Sequence, residues 1–197
     1  MKNKTRSRQT KEKLAASLKK SIRKKPINRV TVNELVEDCN VNRKTFYYHF
    51  DDIYALLKWM LDQEAVEIVK DFNLVKDYRS AILFVMDYVE ENEFIINSTY
   101  SSIGRDHLKR LFYQDFLAIF RTVVDDAEQT LGLQADPDYK DFLCKFYVEA
   151  LAGLLIDWVQ NGTGQDKQKT LDYISRIFEE SLPNVLRAGT GSSVRSS

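Results

Sequence analysis

Cysteine, proline and glycine are all scarce in this chain. The two cysteines, Cys39 and Cys144, lie far apart and both fall in helical patterns. That excludes a disulfide framework and a cysteine-based metal spacing, and both read as small buried apolar residues. Three prolines and seven glycines in 197 residues leave few breaks. The abundance of Leu, Ala, Glu, Lys and Asp favours helix. No apolar run approaches the ~18 residues of a membrane span, and the N-terminus has no apolar signal core. The expectation is a soluble, cytoplasmic, all-α protein. Also missing are a paired Glu-x-x-His motif, a glycine-rich phosphate loop and a Ser/His/Asp arrangement. Their absence argues against an enzyme or a metal protein, and no catalytic residue, cofactor or metal is expected.

What is present is a core-forming apolar fraction of 44% and a divided charge. Residues 1–50 carry 14 lysines and arginines against 4 carboxylates, a surplus of ten. The remaining residues carry 15 against 25, a deficit of ten, so the net charge is zero. A basic end that neutralises phosphate, beside an acidic body that nucleic acid repels, suits a DNA-binding head on a regulatory body.

Along the chain, residues 1–9 read as a basic, flexible arm. Thr10 is placed to N-cap a first helix over Lys11–Lys25, with Leu14, Leu18 and Ile22 as its buried stripe and Pro26 as its stop. Thr31 and Glu34 form a T-x-x-E capping box that opens a second helix. Asn40 sits in the turn where a left-handed residue is wanted. Asn42 caps a third helix, in which Phe46 and Phe50 point to the core. Asp51 or Asp52 caps a fourth, running to about Phe72 on Ile53, Leu56, Leu57, Met60, Leu61, Ala65 and Ile68. Further amphipathic helices are predicted over 77–91, 93–100, 106–132, 137–161 and 166–187. Asn161–Gly164 reads as a loop and 188–197 as a disordered tail. The expected domains are 10–70, a helix-turn-helix head, and 71–187, a regulatory and dimerisation body.

The third helix carries the chemistry. Arg43 can bond guanine in bidentate fashion, Lys44 and His49 offer charge or donors to phosphate, and a tyrosine pairs a hydroxyl with an apolar ring. Thr31 and Val32 sit where the second helix presents free amides, a natural phosphate site. Read together, residues 10–61 resemble the DNA-binding domain of the tetracycline-repressor (TetR) family of bacterial transcription regulators. The matching run is Val32-x-x-Leu35-Val36-x-x-Cys39-Asn40-Val41-Asn42-Arg43-x-Thr45-Phe46-Tyr47-Tyr48-His49-Phe50, followed by Leu56. The segment DIYALLKWM and the pattern through Leu154-Leu155-Ile156-Asp157-Trp158 resemble a subgroup that includes regulators of dihydroxyacetone kinase.

The resemblance implies an all-α fold, a three-helix head joined by a long helix to a ligand-binding and dimerising body. It also implies roles. Asn33, Arg43, Lys44 and Thr45 match positions near base edges or phosphates, with Asn42 beside them. Tyr47, Tyr48 and His49 match positions that reach backbone phosphates and, in part, thymine methyls. One departure is Ile53, where the family often has a phosphate-gripping lysine. Lys58 is the candidate replacement, and Lys19, Lys20, Lys24 and Lys25 add a long-range field.

For the body, the two long helices over 137–161 and 166–187 are the expected dimer surface. Its candidate residues are Phe146, Leu151, Leu154, Leu155, Trp158, Ile174, Ile177 and Phe178. The aromatics Phe84, Tyr88, Phe94, Tyr100, Phe112, Phe116 and Phe120, with His107, are the candidate ligand-pocket residues. The same side chains could equally be ordinary core. The function expected is a homodimeric, sequence-specific transcription regulator. It binds a double-stranded operator and answers a small-molecule or protein effector. Repression is the default, with activation alongside a partner sensor, or a non-DNA-binding adaptor, as alternatives.

Overall fold

The computed structural model describes residues 2–160 and 166–190. Those residues are helical nearly throughout, and no strand occurs among them. The order is α1 Lys2–Ile22, a short 3-10 turn Ile27–Arg29, α2 Val32–Asp38, α3 Arg43–His49, α4 Ile53–Leu61, a π turn Asp62–Val66, α5 Glu67–Lys70, α6 Leu74–Glu91, α7 Glu93–Leu131, α8 Pro137–Gln160 and α9 Lys167–Gly189. The loop expected at Asn161–Gly164 and most of the expected tail, residues 191–197, lie outside the described residues. The chain divides into two compact units. One is Met1–Ile68 with Glu91–Leu108, and the other is Val69–Glu90 with Lys109–Ser197.

The first unit is built on α1, which starts well before Thr10. Residues 2–9 of the expected flexible arm are wound into it. Thr10 is interior to the helix, and its Oγ1 donates back to the Arg6 carbonyl at 3.0 Å rather than capping an end. Arg8 pairs with Glu12 one turn on, at 2.9 Å. Lysine, arginine and glutamine are good helix formers even without an apolar stripe, so this stretch needs no buried face to extend the helix.

The helix-turn-helix follows its local signals closely. Thr31 accepts from the Glu34 amide at 3.3 Å while Glu34 accepts from the Thr31 amide at 2.9 Å, a complete capping box. Asn40 adopts φ 52°, the left-handed turn conformation. Asn42 accepts from the Thr45 amide at 2.8 Å and Asp52 from the Ala55 amide at 2.7 Å, capping α3 and α4. Beneath these caps Leu14, Leu18, Leu35, Phe46, Leu56 and Leu57 are wholly buried. The first part of α7 belongs to this unit, although the sequence reading gave it to the body. The Ser98 hydroxyl accepts from the Ile27 amide at 2.9 Å, and the Arg23 guanidinium lies over the Phe94 ring at 4.2 Å.

The predicted stripe of the fourth helix holds only as far as Leu61. The Glu67 amide then bonds the Asp62 carbonyl, five residues back. That wider turn advances the buried face by one position. Val66 and Val69 are therefore buried, while Ala65 is half-buried and Ile68 is exposed.

In the second unit α8 and α9 pack together. Leu143, Cys144, Val148, Leu182 and Leu186 form a core with Leu117 and Val124 of α7. Tyr147 stacks on Phe120 at 5.8 Å and shares a 2.6 Å hydrogen bond with Ser181. α7 is not one straight rod. Gly104, at φ 78°, breaks it between 93–103 and 105–131, a conformation that glycine adopts without strain. This is where the sequence predicted two helices separated by a break. No helix among the described residues is long and apolar enough to cross a membrane.

Candidate nucleic-acid interface

α3 has one face in the core and one in solvent. Phe46 is wholly buried and Phe50 nearly so. Their rings meet at 5.9 Å, and Phe50 in turn meets Trp59 at 5.9 Å. This aromatic anchor fixes the roll of the helix, because a seven-residue helix has little stability of its own. Opposite it, Asn42, Arg43 and Lys44 are exposed. Tyr48 is 81% exposed and Tyr47 49% exposed, so neither is a core residue and Tyr47 does not pack under the head.

Several of these side chains are organised rather than loose. Arg43 donates to the Tyr47 hydroxyl at 3.3 Å, with its guanidinium 5.7 Å from the ring centre. The pair sets a cation beside a phenol on adjacent turns. Asn42 Oδ1 also accepts from the Thr45 hydroxyl at 3.0 Å, so its oxygen serves the cap and its amide nitrogen remains a donor. His49 is half-buried, and its ring meets Tyr48 edge-on at 4.9 Å. Burial, with the nearby Lys11 charge, holds the His49 imidazole below its ordinary value of 6.5. At neutral pH it is therefore an uncharged donor. Lys11 itself lies 5.6 Å from both the Phe50 and Trp59 rings. Thr31 and Asn33, at the start of α2, are exposed, and Val32 is half-buried.

The lysines differ from the expectation. Lys58, the candidate replacement for the absent lysine at Ile53, is half-buried and held by both Asp62 oxygens at 2.9 Å. A phosphate there would have to displace a carboxylate already in place. Lys19 pairs with Glu64, Lys20 with Asp38 and Lys25 with Glu34, at 2.7, 2.7 and 2.5 Å. The Lys20 ammonium holds Asp38 below the usual carboxylate range, and Lys25 does the same to Glu34. The first two pairs tie α1 to its neighbours, and all three trim the field these lysines were expected to project. Cys39 is half-buried, and its thiol donates to the Lys13 carbonyl at 3.3 Å.

The body holds a cavity of about 400 Å³ inside the second unit, walled by α6, α7, α8 and α9. Of the candidate ligand-pocket residues, Phe116 and Phe120 line it. Phe84, Tyr88, Phe94, Tyr100, His107 and Phe112 do not. Phe84 packs between Phe72 and Tyr88 at 6.1 and 6.5 Å. Phe94, Tyr100 and His107 belong to the first unit, where Phe94 lies under Arg23. Much of the wall comes instead from residues assigned to the dimer surface: Leu151, Leu154, Leu155, Trp158, Ile174 and Phe178. Trp158 is buried there, 4% exposed, and is not free to meet another copy. The exposed apolar residues of α8 and α9 are Phe142, Phe146, Leu154, Tyr173 and Ile177. The spacing of four between Phe142 and Phe146, and between Tyr173 and Ile177, was the signal for the two that sequence reasoning missed.

Comparison with known proteins agrees with this geometry. Residues 14–60 match the family described as bacterial regulatory proteins, tetR family. Residues 76–180 match a TetR-type transcriptional regulator C-terminal region. The HTH-type dhaKLM operon transcriptional activator DhaS of Lactococcus lactis subsp. lactis (strain IL1403) is 18% identical over 154 residues, spanning 78% of this chain and 81% of that protein. A solved structure of a dihydroxyacetone kinase operon activator DhaS aligns with a TM-score of 0.67 at 17% identity. It covers 92% of this chain and 98% of its own, which shows a shared fold.

Proposed function

The chain belongs to the TetR family of transcriptional regulators, a family of DNA-binding proteins and not of enzymes, and on that premise we propose that it acts in the cytoplasm as a homodimer whose two α3 helices read an operator under the control of an effector held in the body. The observation that carries the DNA-facing part is the two-sidedness of α3. An exposed row of Arg43, Lys44, Tyr47 and Tyr48 is braced from behind by a buried Phe46. Arg43 and Lys44 lead the helix toward base edges. Tyr47, Tyr48 and His49 take phosphates, and the amides of Val32 and Asn33 take another at the start of α2, beside the Thr31 amide that Glu34 already occupies. Lys58 we leave out of this set, because Asp62 occupies it.

One head reads too few base pairs to be selective in a genome, so two copies are required. The exposed row on α8 and α9 supplies an apolar face that a second copy can cover. The effector acts by differential affinity. Whichever arrangement of the heads it favours, DNA affinity shifts by the difference in its binding to the two states.

Repression was the default expectation. Both relatives are operon activators, and that observation favours activation as the second reading. A gel-shift titration on the DNA flanking its own gene tests the first part. Parent protein retards the fragment, while Arg43→Ala and Tyr47→Ala fail to do so at the same concentration. Equal retardation by the variants removes α3 as the reading element. A reporter fused to that promoter, compared with and without the regulator, decides the sign.

A further inference from the structure

We propose that the Asn42 side chain is a specificity-determining group that reads guanine in the operator, and that it rejects the adenine which an asparagine in the major groove ordinarily selects. The inference rests on the reading of α3 as the DNA-facing helix and adds the base that one of its side chains requires.

An asparagine amide carries an oxygen that accepts and a nitrogen that donates. Adenine suits it because N6 donates to that oxygen while N7 accepts from that nitrogen. In Asn42 the oxygen is already engaged. The backbone amide of Thr45 donates to Oδ1 at 2.8 Å, and the Thr45 hydroxyl donates to the same atom at 3.0 Å. A peptide N–H can only donate, so the atom facing it is the oxygen and not the amide nitrogen. Both lone pairs of Oδ1 are thus taken from within α3. What this exposed side chain has left to offer a base is Nδ2 with its two hydrogens.

The exposed neighbours have the same polarity. Arg43 and Lys44 are donors by constitution. The Tyr47 hydroxyl accepts from Arg43 Nη2 at 3.3 Å, which leaves its own hydrogen to donate elsewhere. Thr45, half-buried, keeps lone pairs but has given its proton to Asn42. A base edge that meets Asn42 must therefore consist of acceptors. Guanine shows two of them side by side in the major groove, N7 and O6. Adenine sets an amino group beside N7, and Asn42 has no free oxygen to receive it, so that donor is desolvated without a partner. Cytosine presents an amino group alone, and thymine a single O4 beside an apolar methyl.

The probe is the DNA that the full-length protein protects on the fragment flanking its own gene. Each base pair of the protected half-site is replaced in turn, symmetrically in both halves, and affinity is read by fluorescence anisotropy. At one position the parent should prefer guanine to adenine by about fivefold to tenfold for each half-site. Asn42→Ser keeps a capping oxygen and removes the amide, so operators differing at that position should bind within about twofold of one another, with the ranking elsewhere unchanged. Asn42→Asp keeps an oxygen for both Thr45 bonds and puts a second oxygen where the nitrogen stood. Its preference at that position should move to cytosine, whose N4 amino group donates to a carboxylate. Ratios between operators cancel the uniform repulsion that the added charge brings. Both variants should melt with the parent, because the cap survives in each.

A parent that prefers adenine or thymine at the Asn42-dependent position overturns the proposal. So does an Asn42→Ser protein that binds every operator more weakly by one factor, the mark of a phosphate contact. An Asn42→Ser protein indistinguishable from the parent leaves Asn42 a cap alone, and an Asn42→Asp protein that keeps the guanine preference also refutes the assignment. A parent that binds no flanking fragment removes α3 as a DNA reader, and the inference with it. A parent that binds but has no Asn42-dependent position removes the inference only.

Discussion

Replacing Tyr48 by phenylalanine separates recognition from folding more cleanly than any other change in the head. The side chain is 81% exposed and, among the described residues, its ring meets only that of His49, edge-on at 4.9 Å. Phenylalanine keeps that ring contact. The change therefore removes one hydroxyl from solvent and should alter stability by less than about 0.5 kcal/mol. On DNA the account is different. A hydrogen bond to a charged phosphate contributes about 1.5–3 kcal/mol, and a wet backbone interface points to the lower end. Two heads per operator double it to about 3 kcal/mol, or roughly a hundredfold in affinity.

The salt dependence supplies an internal control. A phenol carries no charge and releases no counterion, so the plot of log affinity against log salt should fall in parallel with that of the parent. Fluorescence anisotropy with a labelled operator at four KCl concentrations measures both quantities, and a thermal melt measures the fold. Parent-like affinity of Tyr48→Phe at every salt concentration refutes the phosphate contact. A loss of affinity matched by a lower melting temperature refutes the claim that the residue is free of structural work.

Three other outcomes follow from the same geometry. Arg43→Ala should cost about 1–3 kcal/mol per head and relax the preference for guanine at the base pair it reads, measured by anisotropy on operators substituted there, in contrast to Tyr48→Phe. His49 should tighten DNA binding as pH falls below 6.5, because burial depresses its folded-state value while a phosphate partner raises it, and binding then takes up protons. The free protein responds in the opposite sense: the neutral form is the one the fold favours, so this contribution is present above the unfolded value and is lost as pH falls through the folded one, and His49→Gln should abolish both trends in anisotropy and melting. Phe146→Glu with Ile177→Glu should give a folded monomer by sedimentation and circular dichroism, since these side chains are 59% and 65% exposed, and a dimer that persists would place the interface elsewhere.

The head was largely legible because its signals are local. A capping box, a left-handed asparagine and two carboxylate or amide caps each act within three or four residues, and Thr31, Asn40, Asn42 and Asp52 all do so as read. The start of α1 was not legible, since helix formation by charged residues leaves no apolar period to find. The cavity was misplaced for a different reason. Phe84 and Phe116 are the same residue on neighbouring helices, and nothing local says which faces a void and which a neighbouring ring. Likewise the stripe of α8 contains both faces at once. Phe142 and Phe146 look outward while Leu155 and Trp158 look inward, and only packing against α9 and α7 divides them.

The five-residue turn at Asp62–Val66 has a consequence for how this rod can change over time. It amounts to one surplus residue in an otherwise regular spiral, and the valines on its far side already sit in step with a spiral lacking it. Excising one residue elsewhere in α4 would rotate everything downstream by about 100° and turn the oily side to water. Here the same excision leaves Leu61, Val66 and Val69 aligned and shortens the rod by a single rise of about 1.5 Å. The protein thus carries a seam at which its length can be adjusted without rewriting the surfaces on either side.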